Sequence, residues 1–471
     1  MTRQSSNLIR WSIFYAFILA LATAALAQWQ ESVLYSFQGG TDGEWPLGRV
    51  VFDAAGNLYG ATQAGGSLSC ISFEWCGTVY QLIPPAQEGD PWTETVLHIF
   101  QGHATGDASA PLGGLVINSA GNLYGATGYG GTGDCNVLGT FPGCGTVYEL
   151  SPPTEKGGAW TETVLYNFQG GTDGYVPYGD LVSDNAGNLY GATLYGGGYG
   201  TNCGDATYPY CGTVFEVSPP KVEGGPWTEQ VLYSFKGRTE AVELGDGANP
   251  NGGLIIDETG AIYGTTQIGG FNCPHNSNGG CGTAFRLSPP ARRGELWSEM
   301  VIHRFIPNVD GENPLGGLAI DTNGNLYGTA HSGGPYSAGG TLFRLSPPSG
   351  NSVSWNETSV LGFNPDDNGD GPEGSLIFDP RGNLCGTTNT GSGDASRGSA
   401  YCLGPVSGNG EAQAFGMLHG FAGIPDGTSP AAGLTLGKTT NYFGTTQYGG
   451  LGTACGVGGF AGCGTVFEIW P

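Results

Sequence analysis

Short apolar or aromatic runs alternate along the chain with turn-rich segments, and the order of the runs repeats. In the second repeat, the apolar run 112–117 is followed by a turn at 118–122 and a second apolar run at 123–127. A third run, 145–150, ends at Ser-Pro-Pro, and a fourth, 160–168, is rich in β-branched and aromatic residues. Such residues suit a pleated surface, and proline ends a ladder because it cannot donate to it. The pattern therefore predicts four short antiparallel strands in each repeat.

Two motifs mark this unit, and each occurs seven times. A Gly-Asn-Leu-Tyr-Gly-like segment recurs at intervals of 58 to 73 residues and ends at Gly60, Gly125, Gly191, Gly264, Gly328, Gly386 and Gly444. An outer segment of the pattern Trp-x-Glu-x-Val-Leu-Tyr-x-Phe ends at Phe37, Phe100, Phe168, Phe235, Phe305, Phe363 and Phe421. Four strands in a unit of this length predict the blades of a β-propeller. A parallel β-helix is the main competing fold, but its coils need far fewer residues.

The two motifs are out of phase at the ends of the chain. The first outer segment, 29–37, precedes any Gly-Asn-Leu-Tyr-Gly, and the seventh unit stops at 466–471 without an outer segment of its own. Joining the two ends completes the seventh unit and leaves no open sheet edge. The sequence therefore predicts an all-β fold, a seven-bladed β-propeller with four-stranded antiparallel blades. Its ring is closed by the N-terminal strand, within 28–37, which completes the last blade.

The first 27 residues predict a secretory signal peptide. Arg3 and Arg10 precede an apolar run from about Trp11 to Ala24, and 25–27, Ala-Leu-Ala, provides a small-residue cleavage site. An uncleaved N-terminal anchor is the alternative, since the 17 residues 11–27 border on a short membrane span. We expect the mature chain, 28–471, to be a single propeller domain that is secreted or periplasmic.

Charge and composition narrow the classes of partner. Lys plus Arg number 15 against 40 Asp plus Glu, which gives a formal net charge of −25 and repels phosphate backbones. We therefore expect no nucleic acid partner. The 89 glycines and 29 prolines would indicate disorder in an aperiodic chain, but here they recur at fixed positions and indicate tight turns. No hydrophobic stretch after the signal is long enough for a membrane span, and we expect a monomer.

Ten of the twelve cysteines occur in pairs, in one loop of five repeats. The pairs are Cys70/Cys76, Cys135/Cys144, Cys203/Cys211, Cys273/Cys281 and Cys455/Cys463. The unit around 331–340 lacks both members, which is what local disulfides in an oxidising compartment predict, whereas a zinc site needs four converging ligands. Cys385 and Cys402 stand in two successive strands and are placed to bridge them.

The repeated segments resemble a known bacterial repeat. Gly-Asn-Leu-Tyr-Gly-(Ala/Thr)-Thr, followed by Cys-Gly-Thr-Val-(Tyr/Phe)-Glu-Leu-Ser-Pro-Pro, resembles the GloVer (Gloeo-Verruco) repeat of choice-of-anchor tandem-repeat proteins. A Pro-x-Gly opening of the innermost strand and an Asp-x-x-Gly-Asn turn are also similar to NHL-type propellers. The resemblance implies a secreted or surface-displayed repeat protein and transfers no catalytic residue. The chain ends at Pro471 without the anchor for which relatives are named, so free secretion or periplasmic residence is expected.

Two sets of aspartates recur in the loops when the strands are named A to D outward from the axis. One set begins the turn from A to B, where a side-chain acceptor fits an Asx turn: Asp53, Asp184, Asp257, Asp321 and Asp379. The other stands in every loop from D to the next A: Asp42, Asp107, Asp173, Asp246, Asp310, Asp370 and Asp426. Strand alternation predicts that this second set rings one mouth of the channel. Asp-Gly before proline is ordinary turn chemistry, and the alternative is that the ring holds cations or polar substrates.

One D-to-A loop resembles half of a calcium loop. Residues 366–371 read Asp-Asp-Asn-Gly-Asp-Gly, which offers Asp366, Asn368 and Asp370 as alternating oxygen ligands for a hard cation. The glutamate expected at the twelfth position is missing, since Ile377 stands there. Calcium is therefore the one cofactor for which the sequence offers a candidate site.

Aromatic loop residues are expected on the same face as the D-to-A loops: Trp45, Trp75, Tyr129, Tyr175, Tyr178, Tyr195, Tyr199, Tyr208, Tyr210, Tyr336 and Tyr448. Aromatic faces beside carboxylates suit sugar rings, although such residues also pack against their own blade. His331 ends a B strand where other repeats have glutamine. His98, His303 and His419 occupy the tyrosine position of strand D, which indicates packing substitutes far from the axis.

Two functions fit these observations. The leading one is a non-catalytic platform for glycan or a cell-envelope protein, with the seven loop aspartates, Trp45, Tyr129, Tyr199 and His331 as candidate ligand-binding residues. The alternative is a polysaccharide hydrolase or lyase that uses carboxylates at the channel mouth. Neither a Gly-x-Ser-x-Gly elbow nor a His-Glu-x-x-His pair is present in the sequence. Two carboxylates about 5 to 10 Å apart favour a glycosidase, whereas carboxylates tied into their own turns favour the platform.

Overall fold

The computed structural model describes residues 29–66, 75–87, 89–137, 141–197, 211–222, 224–237, 245–271, 273, 280–292, 294–334, 339–350, 354–391, 397–406, 414–453, 455 and 461–471. The predicted signal peptide lies outside these residues, as do Cys70, Cys203, Tyr199, Tyr208, Tyr210 and Tyr336. The described chain forms strands and turns, with two short 3-10 turns at Gly40–Asp42 and His103–Thr105 and no α-helix. It therefore has no helix with the length and apolar character that a membrane crossing requires.

The strands form seven antiparallel blades, each ordered A, B, C, D from the axis outward. Blade 1 comprises Val51–Phe52, Leu58–Thr62, Thr78–Ile83 and Thr93–Ile99. Blade 2 comprises a divided strand A, Ala108–Pro111 with Val116–Ile117, then Leu123–Gly130, Thr146–Ser151 and Thr161–Asn167. Blade 3 comprises Tyr175–Ser183, Leu189–Tyr195, Thr213–Ser218 and Thr228–Ser234. Blade 4 comprises Ala248–Pro250 with Ile255–Ile256, then Ile262–Ile268, Thr283–Ser288 and Ser298–Arg304.

The remaining blades follow the same order. Blade 5 comprises Ala319–Ile320, Leu326–Ala330, Thr341–Ser346 and Asn356–Gly362. Blade 6 comprises Ile377–Phe378, Leu384–Thr388, Ser399–Leu403 and Phe415–Gly420. Blade 7 comprises Thr435–Leu436, Tyr442–Thr446, Thr465–Trp470 and, as its strand D, Gln30–Ser36. Small two-stranded ladders join Asn136–Val137 to Phe141–Pro142 and Gly427–Thr428 to Tyr448–Gly449.

The N-terminal strand closes the ring as predicted. Gln30–Ser36 pairs antiparallel with Thr465–Trp470, with Val33 opposite Phe467 and Tyr35 opposite Val466. The Trp29 ring lies 5.7 Å from that of Tyr442 and extends this contact. The prediction of a closed seven-bladed propeller is confirmed.

The recurring aromatic and glycine positions lock neighbouring blades together. The phenylalanine that ends each outer segment is at most 2% exposed and packs against the C-strand aromatic of the next blade, with ring centroids 4.8 to 5.2 Å apart in all seven cases. Such a pair contributes about 0.5 to 1.5 kcal/mol beyond its buried area. The second glycine of Gly-Asn-Leu-Tyr-Gly stands opposite that aromatic, as Gly60 does opposite Tyr80. A Cβ on Gly60 would clash with the Tyr80 hydroxyl, which explains why glycine recurs here.

The A-to-B turns are the predicted Asx turns. Asp53 Oδ1 accepts from the amides of Gly56 (2.8 Å) and Asn57 (2.9 Å), and Oδ2 accepts from the Tyr59 hydroxyl at 3.1 Å. Burial alone would raise the pKa of Asp53, but these hydrogen bonds outweigh burial and lower the pKa. The carboxylate is therefore engaged in the turn.

The predicted disulfides are found where the structure describes both cysteines. Cys135–Cys144, Cys273–Cys281 and Cys455–Cys463 close B-to-C loops, and Cys385–Cys402 joins paired residues of strands B and C in blade 6. Cys76 and Cys211 are also disulfide-bonded, and their expected partners, Cys70 and Cys203, lie outside the described residues. Four described disulfides indicate an oxidising compartment.

Candidate functional site

Near the start of each strand A, or in the loop just before it, a residue with a left-handed backbone stands directly before a proline. These residues have φ between 55° and 62° and are Trp45, Ala110, Val176, Asn249, Asn313, Gly371 and Ser429. Each donates its amide to a carbonyl at the start of strand C in the preceding blade, as Val176 does to Cys144 at 3.0 Å. The conformation costs about 1 kcal/mol or more for a residue with a side chain, and the inter-blade hydrogen bond offsets part of that cost. The same inter-blade hydrogen bond therefore ties every strand A to the blade before it.

The Pro-x-Gly-x segments that follow bring the A strands into backbone contact. A Cβ on Gly113 would clash with the Gly179 carbonyl, and one on Gly316 would lie 2.8 Å from the Gly374 carbonyl oxygen. Blade 7 has Ala432 in place of this glycine, and the positions on either side of it supply the side chains around the axis. Those before it are Leu47, Leu112, Tyr178, Asn251, Leu315, Glu373 and Ala431, and those after it are Arg49, Gly114, Asp180, Gly253, Gly317, Ser375 and Gly433.

The axial lining breaks the sevenfold symmetry of the fold. Most positions carry Leu, Ala or Gly, but Tyr178, Glu373 and Arg49 introduce a phenol and two opposite charges. These three side chains line a cavity of about 60 Å³ at the end of the channel where the D-to-A and B-to-C loops emerge. We call this end the axial mouth and this side of the ring the upper face.

Glu373 is held between two residues that end neighbouring B strands. His331 Nδ1 lies 3.2 Å from Glu373 Oε1, an ion-pair distance, although the ring is not turned for a hydrogen bond. Asn389 Nδ2 donates to Glu373 Oε2 at 2.9 Å. A Cβ on Gly371 would lie 2.8 Å from His331 Cε1, so this glycine makes room for the imidazole. The predicted site residue His331 is thus placed beside a carboxylate that the sequence analysis did not single out.

Tyr178 is the hydroxyl donor of the mouth. Burial, followed by the nearby Glu373 carboxylate, raises the pKa of Tyr178 to about 12. The phenol therefore stays protonated through the physiological range and can donate to a ligand oxygen.

Arg49, Asp180 and Ser375 line both the mouth cavity and a second cavity of about 210 Å³. Asp180 Oδ1 accepts from the Gly114 amide at 2.6 Å. Arg49 Nε is buried and has no hydrogen-bond partner among the described residues. The second cavity has mainly apolar walls, which include Leu181 and Leu254. These three polar side chains therefore stand where the mouth cavity meets a second cavity with mainly apolar walls.

Aromatic side chains surround the mouth over blades 7, 1, 2 and 3. Trp45 packs edge-on against Trp75 and Tyr448, with centroids 6.0 and 6.3 Å apart. A second cluster is built on the buried Ala110, Leu112 and Val176, and the partly exposed residues packed on it are Leu47, Trp75, Tyr129, Tyr175, Tyr178, Leu194 and Tyr195. Trp45 is only 9% exposed, and its buried indole Nε1 has no partner among the described residues.

The loop aspartates face the outermost strands instead of the axis. Asp42 accepts from the Tyr35 hydroxyl of strand D at 2.7 Å and from the Gln38 amide at 2.5 Å. Each of the other loop aspartates outside blade 6 also accepts a hydrogen bond from an amide of its own loop: Asp107, Asp173, Asp246, Asp310 and Asp426. Their carboxylates are therefore tied into their own turns, and a ligand role for them stays a prediction.

The blade 6 loop departs from the predicted register. Asn368, not Asp370, stands five residues after the terminal phenylalanine, and its Oδ1 accepts from the Asn364 amide at 2.6 Å. Asp370 instead forms a backbone bridge with Thr390, as Glu44 does with Ala64. Asn368 thus takes the part that aspartate has in other loops, and its oxygen is already engaged. Calcium binding at Asp366, Asn368 and Asp370 stays a prediction.

A further set of carboxylates, the glutamates of the Trp-x-Glu pattern, was missed as a site by the sequence analysis. Each lies on strand D beside the aspartate of the loop that enters its blade and the Tyr or His that this aspartate faces. We call these three residues an inter-blade triad. The tyrosine triads are Tyr35/Asp42/Glu94, Tyr166/Asp173/Glu229 and Tyr233/Asp246/Glu299, and the histidine triads are His98/Asp107/Glu162, His303/Asp310/Glu357 and His419/Asp426/Glu31.

The three positions of a triad change together. Between blades 5 and 6 they hold Leu361, Asn368 and Phe415, so the phenol, the carboxylate and the second carboxylate are lost as a set. Phe415 stacks on Tyr401 of its own blade with centroids 5.8 Å apart, and Leu361 of blade 5 packs on the same cluster, so this interface is apolar instead. The triad therefore behaves as one structural unit between blades.

A family model agrees with the repeats. The model of the Gloeobacter/Verrucomicrobia repeat matches residues 19–206 and 139–401, which together make up more than half of the chain. The protein belongs to the Gloeobacter/Verrucomicrobia repeat family. No curated protein matches it significantly.

Solved structures similar to this Gloeobacter/Verrucomicrobia repeat protein have low sequence identity. They include an ulvan lyase of family PL25 (TM-score 0.48, 12% identity, 89% of this chain and 90% of that chain). A protein of unknown function from Dyadobacter fermentans has a TM-score of 0.44 and 10% identity over 94% of this chain and 100% of that chain. A putative gluconolactonase has a TM-score of 0.35 and 16% identity over 76% and 89%. Likeness at this level carries no argument about function.

Proposed function

We propose that this repeat protein is a secreted, non-catalytic platform that binds carbohydrate at the axial mouth. One observation carries the proposal: Tyr178 belongs both to the aromatic cluster on the upper face and to the polar lining that contains Glu373. Apolar ring faces and hydrogen-bonding groups therefore meet at one concave place. Binding sites for small molecules usually combine these two features.

The chemistry of the mouth suits a sugar. The carbon-bound hydrogens of a pyranose pack against aromatic faces, and Tyr175 and Tyr195 offer such faces with their ring centroids 5.3 Å apart. Sugar hydroxyls both donate and accept, so they match the Glu373 carboxylate, the Asn389 amide and the Tyr178 phenol. Four blades have Leu or Ala at the Glu373 position, so the polar side chains at this level come from blades 3, 4 and 6 alone: Tyr178, Asn251 and Glu373.

Binding measurements on the mature chain test this proposal. A glycan array, followed by calorimetry with any ligand it detects, is repeated with Tyr178→Phe and Glu373→Gln. We expect each variant to lose at least tenfold in affinity because one hydrogen bond to the ligand is removed. Tyr190→Phe is the matched control, since the Tyr190 hydroxyl donates to Asp184 in an A-to-B turn on the opposite face. Unchanged affinity in both mouth variants, or equal loss in the control, contradicts the proposal.

Cleavage of a polysaccharide is the second candidate, and the His331–Glu373 pair favours it. The pair occurs in one repeat out of seven, with His331 Nδ1 and Glu373 Oε1 3.2 Å apart, and it places a carboxylate and an imidazole, the side chains most used in acid-base catalysis, at the mouth. Incubation with a panel of polysaccharides, followed by assay of new reducing ends and of unsaturated ends, tests this candidate. His331→Asn should abolish cleavage and leave binding within a few fold. Binding of a polysaccharide without any cleavage would contradict this second candidate and leave the non-catalytic platform as the supported function.

A further inference from the structure

The inter-blade triads differ in how completely their polar atoms are satisfied. In the tyrosine triads the phenol donates to the aspartate, as Tyr35 does to Asp42 at 2.7 Å. In the histidine triad of blades 4 and 5, His303 Nε2 contacts Asp310 Oδ2 at 2.8 Å, and the glutamate Glu357 accepts from the Ser359 hydroxyl at 3.1 Å. The triad of His303 is thus closed by the protein's own hydrogen bonds, whereas the tyrosine triads leave Oε1 of Glu94, Glu229 and Glu299 buried without a partner among the described residues.

The histidine triad between blades 1 and 2 is open. One ligand atom each from His98, Asp107 and Glu162 lie within 4.8 Å of one another. His98 Nε2 and Glu162 Oε1 are buried, and neither has a hydrogen-bond partner among the described residues. Val164 stands where Ser359 serves the blade 5 glutamate, so no hydroxyl is available to Glu162 at that position.

The Asp107 carboxylate is fixed in place but not saturated. Oδ2 accepts from the Gln101 amide at 2.7 Å and Oδ1 from the Ala108 amide at 2.8 Å, which leaves one lone pair on each oxygen. The aspartate is therefore oriented by its loop, with lone pairs still available to a third group. A buried nitrogen and a buried oxygen, both without partners, share the space next to it.

We propose that His98, Asp107 and Glu162 bind a divalent metal ion of the zinc class between blades 1 and 2. Imidazole nitrogen and carboxylate oxygen are ligands that zinc accepts, commonly with water completing a four-coordinate site. Calcium prefers six to eight oxygen ligands and does not match a set with one nitrogen and two carboxylates. The ion would give His98 Nε2 and Glu162 Oε1 a common partner. It would also offset the repulsion between the Asp107 and Glu162 carboxylates and so link blades 1 and 2.

A second triad has the same ligand types, but two of its residues are already in contact with each other. His419, Asp426 and Glu31 also place one ligand atom each within 4.8 Å of one another. There His419 Nε2 already contacts Asp426 Oδ2 at 3.0 Å, so a metal must displace that hydrogen bond. We expect this triad, between blades 6 and 7, to bind zinc more weakly than the triad of His98.

Zinc titration of the full mature chain, after metal removal with a chelator, tests the proposal. Calorimetry and equilibrium dialysis should show one tight equivalent of zinc, and cobalt should give the visible absorption of a low-coordinate site. His98→Tyr restores the residue of the tyrosine triads, so it should fold and lose this equivalent. His303→Tyr, the matched control in a closed triad, should lose none.

Glu162→Gln gives a second independent test with little change in shape. We expect zinc to bind at least tenfold more weakly to this variant, and calcium to give no comparable binding to the wild type. Retention of the tight equivalent in both His98→Tyr and Glu162→Gln would overturn the proposal. A wild-type chain that binds neither zinc nor cobalt would overturn it as well, whatever the behaviour of the variants.

Discussion

The tyrosine triads predict that the propeller becomes less stable as pH rises above about 4.5. Burial, then in each case the neighbouring loop aspartate, raises the pKa of Glu94, Glu229 and Glu299 from 4.5 to about 7. Between these two values the folded protein holds a proton that the unfolded chain has released. Stability therefore declines through this window and stays lower above it. Replacing the three glutamates by glutamine, which mimics the protonated acid, should remove the decline that they cause.

The magnitude follows from the size of the shift. One pKa unit corresponds to about 1.4 kcal/mol, so each glutamate nominally costs about 3 kcal/mol at pH 8. These side chains keep part of their contact with water, so we reduce this to about 1 to 2 kcal/mol each. The three triads share no residue and their effects should add. The triple variant should thus gain roughly 3 to 6 kcal/mol at pH 8, or about 3 to 6 °C in melting temperature for a chain of this length.

Thermal and urea denaturation of wild type and Glu94→Gln/Glu229→Gln/Glu299→Gln at pH 5 and pH 8 measure this difference. The gain at pH 5 should be small, because the native glutamates are already protonated there. Glu155→Gln/Glu258→Gln/Glu295→Gln removes the same number of charges from exposed positions and is the matched control. The reasoning is refuted if stability falls between pH 5 and pH 8 as steeply in the triad variant as in the wild type.

Three further predictions concern the mouth, a loop aspartate and the ring closure. Gly371→Ala should displace the His331 ring and weaken glycan binding at least severalfold while costing only about 1 kcal/mol of stability, since other repeats carry side chains at the same φ; unaltered binding contradicts the contact. Asp173→Asn should be nearly neutral in urea denaturation, as the natural Asn368 indicates, whereas Asp173→Ala should cost about 1 kcal/mol because it removes the acceptor of the Gln169 amide. Equal stability of the two variants would show that the hydrogen bond is unimportant. Deletion of 29–37 should abolish the single cooperative unfolding transition, because it exposes the edge of strand C in blade 7; an unchanged transition by calorimetry would show that closure is dispensable.

The fold was predictable because its signals are local and repeated. The Gly-Asn-Leu-Tyr-Gly motif fixes strand B, since its glycine lies under an aromatic of strand C, as Gly60 does under Tyr80. The turn aspartates, the proline stops and the paired cysteines each act within a few residues of the chain. Ring closure was predictable because the last repeat lacks an outer segment and the described chain begins with an unmatched one, 29–37.

The site was only partly predictable. His331 was singled out because it differs from its repeats, but its partner Glu373 is 42 residues away, in the next blade. Their contact depends on how neighbouring blades meet at the axis, which no local pattern encodes. The glutamates of the Trp-x-Glu pattern occur in six of the seven outer segments and are missing from that of blade 6. Their approach to the aspartate of the preceding loop, as of Glu94 to Asp42, depends on the arrangement of adjacent blades.

The pairing of Gln30–Ser36 with Thr465–Trp470 sets a timetable for biogenesis. Strand Gln30–Ser36 cannot form its ladder until Thr465–Trp470 has been synthesised, so its backbone hydrogen-bonding groups stay unpaired while the intervening blades are made. A product truncated before Thr465 leaves blade 7 incomplete and the strand Gln30–Ser36 unpaired. Unpaired strand edges of this kind can pair with other chains and promote aggregation. Formation of the closed ring therefore depends on the strand Thr465–Trp470.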